Sequence, residues 1–220
     1  MSGGRLRLLA TQARQREQAE AREREEARRP RCELCGEPLP TDHRHLLELP
    51  AREPRCACRA CQLLFDHAAT GAGHYRLLPD RRLRLSGLTV DDQTWARLRT
   101  PVRMVFLVQE EAAGQIVQFY PSPAGPVRAT VDRSAWELLR SAHPDLAGLL
   151  PDVEALLLDR DRGAWIVPVD DCYALAGTIR AHWRGMTGGP GVREHISRFF
   201  TDLDARCVTV PAAGNDRSPA

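Results

Sequence analysis

Thirty residues, from Cys32 to Cys61, contain five of the seven cysteines of the chain. Two pairs have the Cys-x-x-Cys spacing, Cys32 with Cys35 and Cys58 with Cys61, and 22 residues separate the pairs. A gap of two residues lets a tight turn direct both sulfur atoms to one point, and two such turns on neighbouring loops form a tetrahedral thiolate cage. The spacing therefore predicts a metal site with these four cysteines as ligands.

Zinc is the ion that we expect in this cage, because paired Cys-x-x-Cys motifs at this separation are typical of zinc ribbons. Iron is the alternative, as a mononuclear thiolate centre or an iron–sulfur cluster, since both use four cysteines. Gln62 directly after the second pair departs from a rubredoxin-like pattern. A redox dithiol is a third interpretation, although the motif does not lie at a strand-to-helix turn of a βαβ unit.

Three other side chains of this stretch are candidate substitutes for a cysteine ligand: Cys56, His43 and His45. Cys56 and Cys58 project to the same face if the chain is extended, because side chains alternate along a strand. We assign the ligand to Cys58, since it completes the second Cys-x-x-Cys turn. His43 and His45 also share a face, and we expect them to be surface histidines beside a hairpin, because four thiolates already complete a zinc site.

Length and composition limit the classes of function. A chain of 220 residues accommodates one ordinary domain and a small module, and its formal net charge of +2 gives no general attraction to nucleic acid or membranes. All 31 basic residues are arginines, which excludes a Schiff-base lysine and a phosphate-loop lysine. The sequence also contains no phosphate-binding loop, dinucleotide fingerprint or Gly-x-Ser-x-Gly elbow. We therefore expect a protein that is not an enzyme.

The pattern of apolar residues predicts a cytoplasmic protein. No apolar run reaches the length of a membrane span, and the N-terminus lacks the apolar core of a signal peptide. Paired cysteines without a secretion signal fit a reducing compartment, where thiols bind metal and do not oxidise to disulfides.

The sequence divides into four regions by composition. Charged residues spaced four apart and few apolar ones predict a tail that is partly helical or disordered at the N-terminus. Small and polar residues predict a disordered tail at the C-terminus. The expected regions are the first tail at 1–30, a zinc-ribbon-like metal module at 31–66, an α+β domain at 67–207 and the second tail at 208–220.

The third region carries the signals of an α+β fold. Apolar runs predict strands at 102–108, 115–120, 127–131, 153–158 and 164–169. Capping patterns predict helices that begin near Thr89–Asp92, at Asp132 and at Asp170, and a last helix carries apolar residues from Val192 to Leu203. This order predicts an antiparallel sheet with helices packed on one face.

Polar and thiol groups of the third region are expected to be structural. Asp170 and Asp171 fit the N-terminus of a helix. Cys172 lies on an apolar helical face and is expected in the core, whereas the sequence assigns no partner to His182 or His195.

Several long motifs resemble an uncharacterised family of actinobacterial proteins defined only as a domain of unknown function. The resemblance covers about residues 31–207. The matching stretches include RCELCGEPLPTDHRHLLEL, RCACRACQLLF, QFYPSPAG, HPDLAGLLPDVEALLL and VPVDDCYALAGTIRAHWRG. Genes of that family often lie beside those of high-affinity nickel–iron hydrogenases, which implies an accessory or maturation role with hydrogenase subunits or maturation factors as protein partners. No residue set here matches a known nickel-insertion or protease site.

These observations lead to one principal hypothesis and two alternatives. The principal hypothesis is a non-enzymatic zinc-binding accessory protein that assists assembly or function of a nickel–iron hydrogenase and docks a protein partner through its α+β domain. The first alternative is a rubredoxin-like iron-thiolate or iron–sulfur electron carrier. The second is a nucleic-acid-binding regulator that uses the metal module and the basic tail, and the near-neutral net charge disfavours it.

Overall fold

The computed structural model describes residues 14–20, 26, 29–65, 73–122, 124–185 and 188–211. The chain divides into two compact units, Met1–Leu77 and Leu78–Ala220. Residues 14–20 form an exposed helix, α1, within the charged tail expected at 1–30. Residues 1–13, 21–25 and 27–28 of that expected tail lie outside the described residues.

The first unit contains a three-stranded antiparallel sheet in the order β2-β1-β3. Its strands are β1 (His45–Glu48), β2 (Glu53–Cys56) and β3 (Tyr75–Leu77), and helix α2 (Arg59–Phe65) follows β2. Its core cluster, within the described residues, contains five buried side chains: Cys32, Leu39, Leu46, Ala57 and Cys61. Two of these are cysteines of the predicted metal site, so the core of this unit and the site coincide.

The first unit is longer than the module expected at 31–66. It extends to Leu77, because β3 pairs with β1 and brings Leu77 opposite Leu46. Three residues are too short a strand to leave a pattern in the sequence, and the pairing across the intervening segment is a long-range contact.

The second unit is built on a seven-stranded sheet in the order β10-β4-β9-β8-β5-β6-β7. The strands are β4 (Leu83–Ser86), β5 (Met104–Glu110), β6 (Gln115–Ser122), β7 (Gly125–Thr130), β8 (Glu154–Asp159), β9 (Gly163–Pro168) and β10 (Val208–Pro211). All neighbouring strands are antiparallel except β10, which runs parallel to β4. The five strands expected from the sequence occur within two residues of their predicted ends.

Aspartate side chains cap the N-termini of two helices in the second unit. The helices of this unit are α3 (Asp92–Leu98), α4 (Arg133–Ala142), α5 (Val169–His182) and α6 (Gly189–Arg206), with a 3₁₀ turn at Pro144–Gly148. Asp132 caps α4 as expected, since its carboxylate accepts a hydrogen bond from the backbone N–H of Ser134. The cap of α3 is Asp91, which accepts from the N–H of Thr94, and not Thr89. Helix α5 begins one residue before Asp170, without a side-chain cap.

The α+β fold class expected from the sequence, with a largely antiparallel sheet and a small cysteine-rich module, is confirmed. The helices, expected on one face, cover both faces of the sheet. On one face, Leu156 of β8 belongs to a core cluster with Trp95 of α3 and Trp136 of α4. On the other, Trp165 of β9 lies against Phe200 of α6, with ring centroids 4.9 Å apart. Central strands that are apolar on both sides need cover on both sides, and this is why β5 and β8 are nearly continuous apolar runs.

The C-terminal tail expected at 208–220 begins as a strand. Residues Val208–Pro211 form β10 at the edge of the sheet, with Val208 opposite Leu83 and Val210 opposite Leu85. The β-branched run Val208-Thr209-Val210 has the propensity for this, but its partner lies far back in the sequence. Residues 212–220 are outside the described part of the chain. Among the residues that are described, no helix has the length and apolar character needed to cross a membrane.

Candidate metal centre

The first cysteine pair lies in a tight turn that closes on itself. The backbone N–H of Gly36 donates to the carbonyl oxygen of Cys32, and the N–H of Cys32 donates to that of Glu37, both at 2.8 Å. Gly36 has φ of 78°, in the left-handed region that glycine adopts without strain. The glycine after the first pair therefore lets the backbone fold around the sulfur atoms of Cys32 and Cys35.

The second pair lies at the junction of β2 and α2. Cys58 immediately precedes α2, and Cys61 is in the first turn of that helix. The backbone N–H of Gln62 donates to the carbonyl of Cys58 at 2.9 Å, and the Gln62 side chain donates to the carbonyl of Ala57 at 2.7 Å. The sequence predicted two turns on neighbouring loops, but the second pair begins a helix. Gln62, the residue that departs from the rubredoxin-like pattern, holds this junction.

The four predicted ligands come together. The sulfur atoms of Cys32, Cys35, Cys58 and Cys61 all lie within 4.8 Å of one another, and those of Cys35 and Cys58 are 3.6 Å apart. Zn–S bonds of about 2.3 Å at tetrahedral angles would separate the sulfur atoms by about 3.8 Å. Cys32 and Cys61 are buried and Cys35 is exposed. The donor set thus fits a four-coordinate metal ion in both type and spacing.

The pKa of the Cys32 thiol is lower than that of an ordinary cysteine. Burial raises its pKa, but hydrogen bonds from the backbone N–H groups of Cys58, Leu34 and Cys35 outweigh this and lower the pKa to about 6. Hydrogen bonds to a charged form stabilise that form. The fold therefore supplies a thiolate, the form of cysteine that binds metal, at one corner of the set.

Two neighbouring thiols, those of Cys61 and Cys35, have raised pKa values. Burial, together with hydrogen bonds shared with Cys35, Cys58 and Cys32, raises the pKa of Cys61. The backbone N–H of Glu37 lowers the pKa of Cys35, but sharing with the thiols of Cys32 and Cys58 raises it overall. Four thiolates at this spacing repel one another, and a bound divalent cation would offset this electrostatic repulsion.

The three candidate substitutes form a second group of their own. Cys56 ends β2 directly opposite His45 of β1, and the ring centroids of His43 and His45 are 5.0 Å apart. One possible ligand atom from each of these residues lies within 4.8 Å of the others. Burial raises the pKa of Cys56, and the carboxylate of Glu33 adds to this effect. The four sulfur atoms that lie within 4.8 Å of one another include that of Cys58, whereas Cys56 groups with the two histidines.

A cleft of about 650 Å³ adjoins the four-thiol set. Cys35, Cys58 and His43 contribute to its wall, with apolar surface from Pro38 and Leu39. The exposed edge of the set is thus reachable from solvent, whereas Cys32 and Cys61 are enclosed.

In the second unit, the thiol, carboxylate and imidazole groups considered above lie in the core or contact neighbouring side chains. Cys172 is 1% exposed in α5, as expected for a core residue. Asp171 lies in the first turn of α5, as expected. Its carboxylate accepts two hydrogen bonds from Arg82, at 2.6 and 3.3 Å. His182 and His195 have no partner that the sequence could assign, and in the structure their rings stack with centroids 3.5 Å apart. The packing of α5 against α6 brings them together, and no local sequence signal reveals it.

Comparison with known proteins identifies a family. The model of the Family of unknown function (DUF5947) matches residues 31–207, which include both cysteine pairs and nearly all of the second unit. Neither a curated protein nor a solved structure matches the chain.

Proposed function

We propose that this chain, which belongs to the DUF5947 family, is a zinc-binding accessory protein without catalytic activity of its own. The observation that carries the proposal is the convergence of four cysteine sulfur atoms within 4.8 Å of one another. Four thiolates complete the coordination of zinc and leave no position for a substrate, which is the arrangement of structural sites.

The size of the first unit favours a metal with a structural role. Among the described residues, its core cluster contains five buried ones, two of them cysteines of the set. Domains this small rarely bury enough apolar surface to fold alone, and a structural metal supplies the missing free energy. We prefer zinc to iron for this structural role, because zinc has no redox chemistry and is bound by four thiolates in tetrahedral geometry. An iron-thiolate electron carrier uses the same donors and is separated from zinc by visible absorption.

We assign the protein a role beside a nickel–iron hydrogenase, as a partner of its subunits or of their maturation factors. The support is the family resemblance carried by the motifs quoted above, because genes of that family often neighbour hydrogenase genes. A protein partner also suits a chain with a closed metal site and a net charge of +2, which gives little attraction to nucleic acid. The reducing cytoplasm is the compartment in which four cysteines remain available to a metal.

The test compares a strain deleted for this gene with complemented strains. Hydrogenase activity and subunit processing should fall on deletion and return with the wild-type gene. The Cys32→Ser gene should fail to restore them, whereas Cys207→Ser, which alters a thiol outside the set, should succeed. Unchanged activity and processing in the deletion strain would exclude the hydrogenase role.

Metal analysis of the purified protein tests the zinc assignment separately. We expect one tightly held zinc ion per chain and a colourless protein. One equivalent of iron with strong visible absorption would replace the zinc proposal by the electron-carrier alternative.

A further inference from the structure

The β1–β2 hairpin brings three metal-binding side chains to one place outside the four-thiol set. His45 and Cys56 are directly opposite each other in the antiparallel register, where Cβ atoms lie about 4.5–5.5 Å apart. His43 is two residues before His45, and its ring meets that of His45 edge-on at 64°. One ligand atom from each residue lies within 4.8 Å of the other two.

The ring of His43 is oriented as in a metal ligand. Its Nδ1 lies 2.9 Å from the carbonyl oxygen of Pro40. A carbonyl only accepts, so Nδ1 carries the proton and Nε2 presents its lone pair. This hydrogen bond is the contact that commonly fixes the tautomer and direction of metal-binding histidines.

Within the described part of the chain, the Nε2 lone pair of His43 accepts no hydrogen bond. Its Nε2 is buried and meets no hydrogen-bond donor there. A buried acceptor without a donor destabilises the folded chain, because it has lost its hydrogen bonds to water and gained none in return. A cation bound to Nε2 would remove this cost, and the neighbouring side chains of His45 and Cys56 supply the other ligands.

We propose that His43, His45 and Cys56 form a second metal site, which binds one divalent first-row transition-metal ion such as Zn²⁺ or Co²⁺. Two imidazoles and one thiolate suit such ions and are unsuitable for Ca²⁺ or Mg²⁺, which require oxygen ligands. The carboxylate of Glu33, which accepts from the backbone N–H of Cys56 at 2.5 Å, adds negative charge beside the site.

The second site differs from the four-thiol set in having three protein ligands. Three ligands leave one tetrahedral position for water or another small donor, the arrangement of exchangeable and reactive metal sites. With fewer thiolates than the first site, it should hold its ion less tightly. The protein would thus carry one structural ion and one exchangeable ion, and neither site borrows a ligand from the other.

The test counts ions on the full chain at equilibrium with buffered free Zn²⁺, so that a weakly held ion is not lost on desalting. Wild type should bind two ions, one of which a weak chelator removes. His43→Gln, His45→Gln and Cys56→Ser should each bind only the tightly held ion. His74→Gln, an exposed histidine of the same unit outside both groups, is the matched control and should still bind two.

Co²⁺ titration identifies which site each substitution affects. Absorption from cobalt–thiolate charge transfer grows with the number of Co–S bonds, so the four-thiol set dominates it. Cys56→Ser and the two histidine variants should retain this strong band, and Cys58→Ser should lose most of it. Circular dichroism checks that each variant is folded, and His43→Gln, whose ring is outside the core cluster, keeps the test usable if another variant unfolds.

Two results would overturn the proposal. One is a wild-type chain that binds a single ion at every free Zn²⁺ concentration used. The other is a loss of the strong thiolate band in the His43, His45 or Cys56 variants, which would assign these residues to the first site. Failure of the hydrogenase test leaves this inference unaffected, because the inference concerns only the number of ions that the chain binds.

Discussion

At the scale of single residues, the four thiols differ although they share one site. Backbone N–H groups lower the pKa of Cys32 to about 6 against the effect of burial, whereas the pKa of Cys61 is raised. The pKa of Cys32 therefore favours its thiolate before a metal binds, whereas Cys35 and Cys61, whose pKa values are raised, must release protons on binding.

Replacing any one member of the four-thiol set should release the tightly held zinc. Each of Cys32→Ser, Cys35→Ser, Cys58→Ser and Cys61→Ser leaves three thiolates, and structural zinc contributes about 10–16 kcal/mol in small metal-dependent modules. Zinc per chain and amide exchange of the first unit are the measurements. Cys207→Ser is the control. A variant with Cys58 replaced that still keeps its tight ion, while Cys56→Ser loses it, would contradict this arrangement of ligands.

A buried carboxylate of the second unit, that of Glu154, is paired with an arginine. Glu154 is fully buried and forms two hydrogen bonds with Arg81, at 2.9 and 2.6 Å, and accepts a third from the N–H of Leu150. Removing one partner of a buried ion pair leaves a charge without compensation.

Arg81→Met should therefore destabilise the second unit by about 2 kcal/mol. This is less than for a fully buried pair, because the side chain of Arg81 is 39% exposed. The measurement is the urea midpoint of the folded chain. Arg103→Met is the matched control: it breaks an exposed pair with Asp161, and exposed pairs contribute little. Equal midpoints for Arg81→Met and wild type would show that Glu154 does not need this partner.

At the scale of elements, β10 completes one edge of the large sheet. It pairs with β4, and Val210 packs against the core cluster that contains Leu85 and Trp95. Without β10, β4 would present an unpaired edge, and part of the apolar surface of Leu85 would reach solvent.

Ending the chain after Cys207 should lower the stability of the second unit by roughly 1–2 kcal/mol, from lost strand hydrogen bonds and the burial of one valine. The thermal midpoint measures this loss. A chain ended after Pro211 is the control and should match the full-length protein. If both truncated chains melt together, β10 contributes nothing to stability.

Local signals explain which elements were predictable. Asp132 before an amphipathic run indicates α4, and the glycine of Asp161-Arg162-Gly163 indicates the β8–β9 hairpin. The pairing of β1 with β2 had no such signal. Its turn contains no glycine or asparagine, and Arg52 adopts the left-handed region with φ of 55°. For this reason the sequence identified the four-thiol set by spacing but did not predict that His45 faces Cys56.

At the scale of the whole molecule, the two units differ in what holds them together. In the part of the chain that the structure describes, the first has a core cluster of five buried residues around its thiols. The second has a core cluster of fifteen buried residues, with a further apolar layer under α5 and α6. A core of that size stabilises a domain without a metal.

Separate fragments should show this difference. We expect residues 31–77 to fold only with zinc and to unfold on strong chelation, and residues 78–220 to unfold cooperatively on heating at the same midpoint with or without chelator. Circular dichroism melts of both fragments provide the measurement. A metal-free 31–77 fragment with protected amides would contradict the dependence on zinc.

The parallel pairing of β10 with β4 has a consequence for folding kinetics. Leu83 and Val208 are partners across 125 positions of the chain, whereas the partners in the β8–β9 hairpin are at most 14 positions apart. Closing so long a loop costs conformational entropy before the strand contacts can form. Pairings between residues far apart in the sequence therefore slow folding. We expect the hairpins in the middle of the sheet to form first and the β4 edge to close last. A transient species with β4 unpaired would then be the one most exposed to aggregation during refolding.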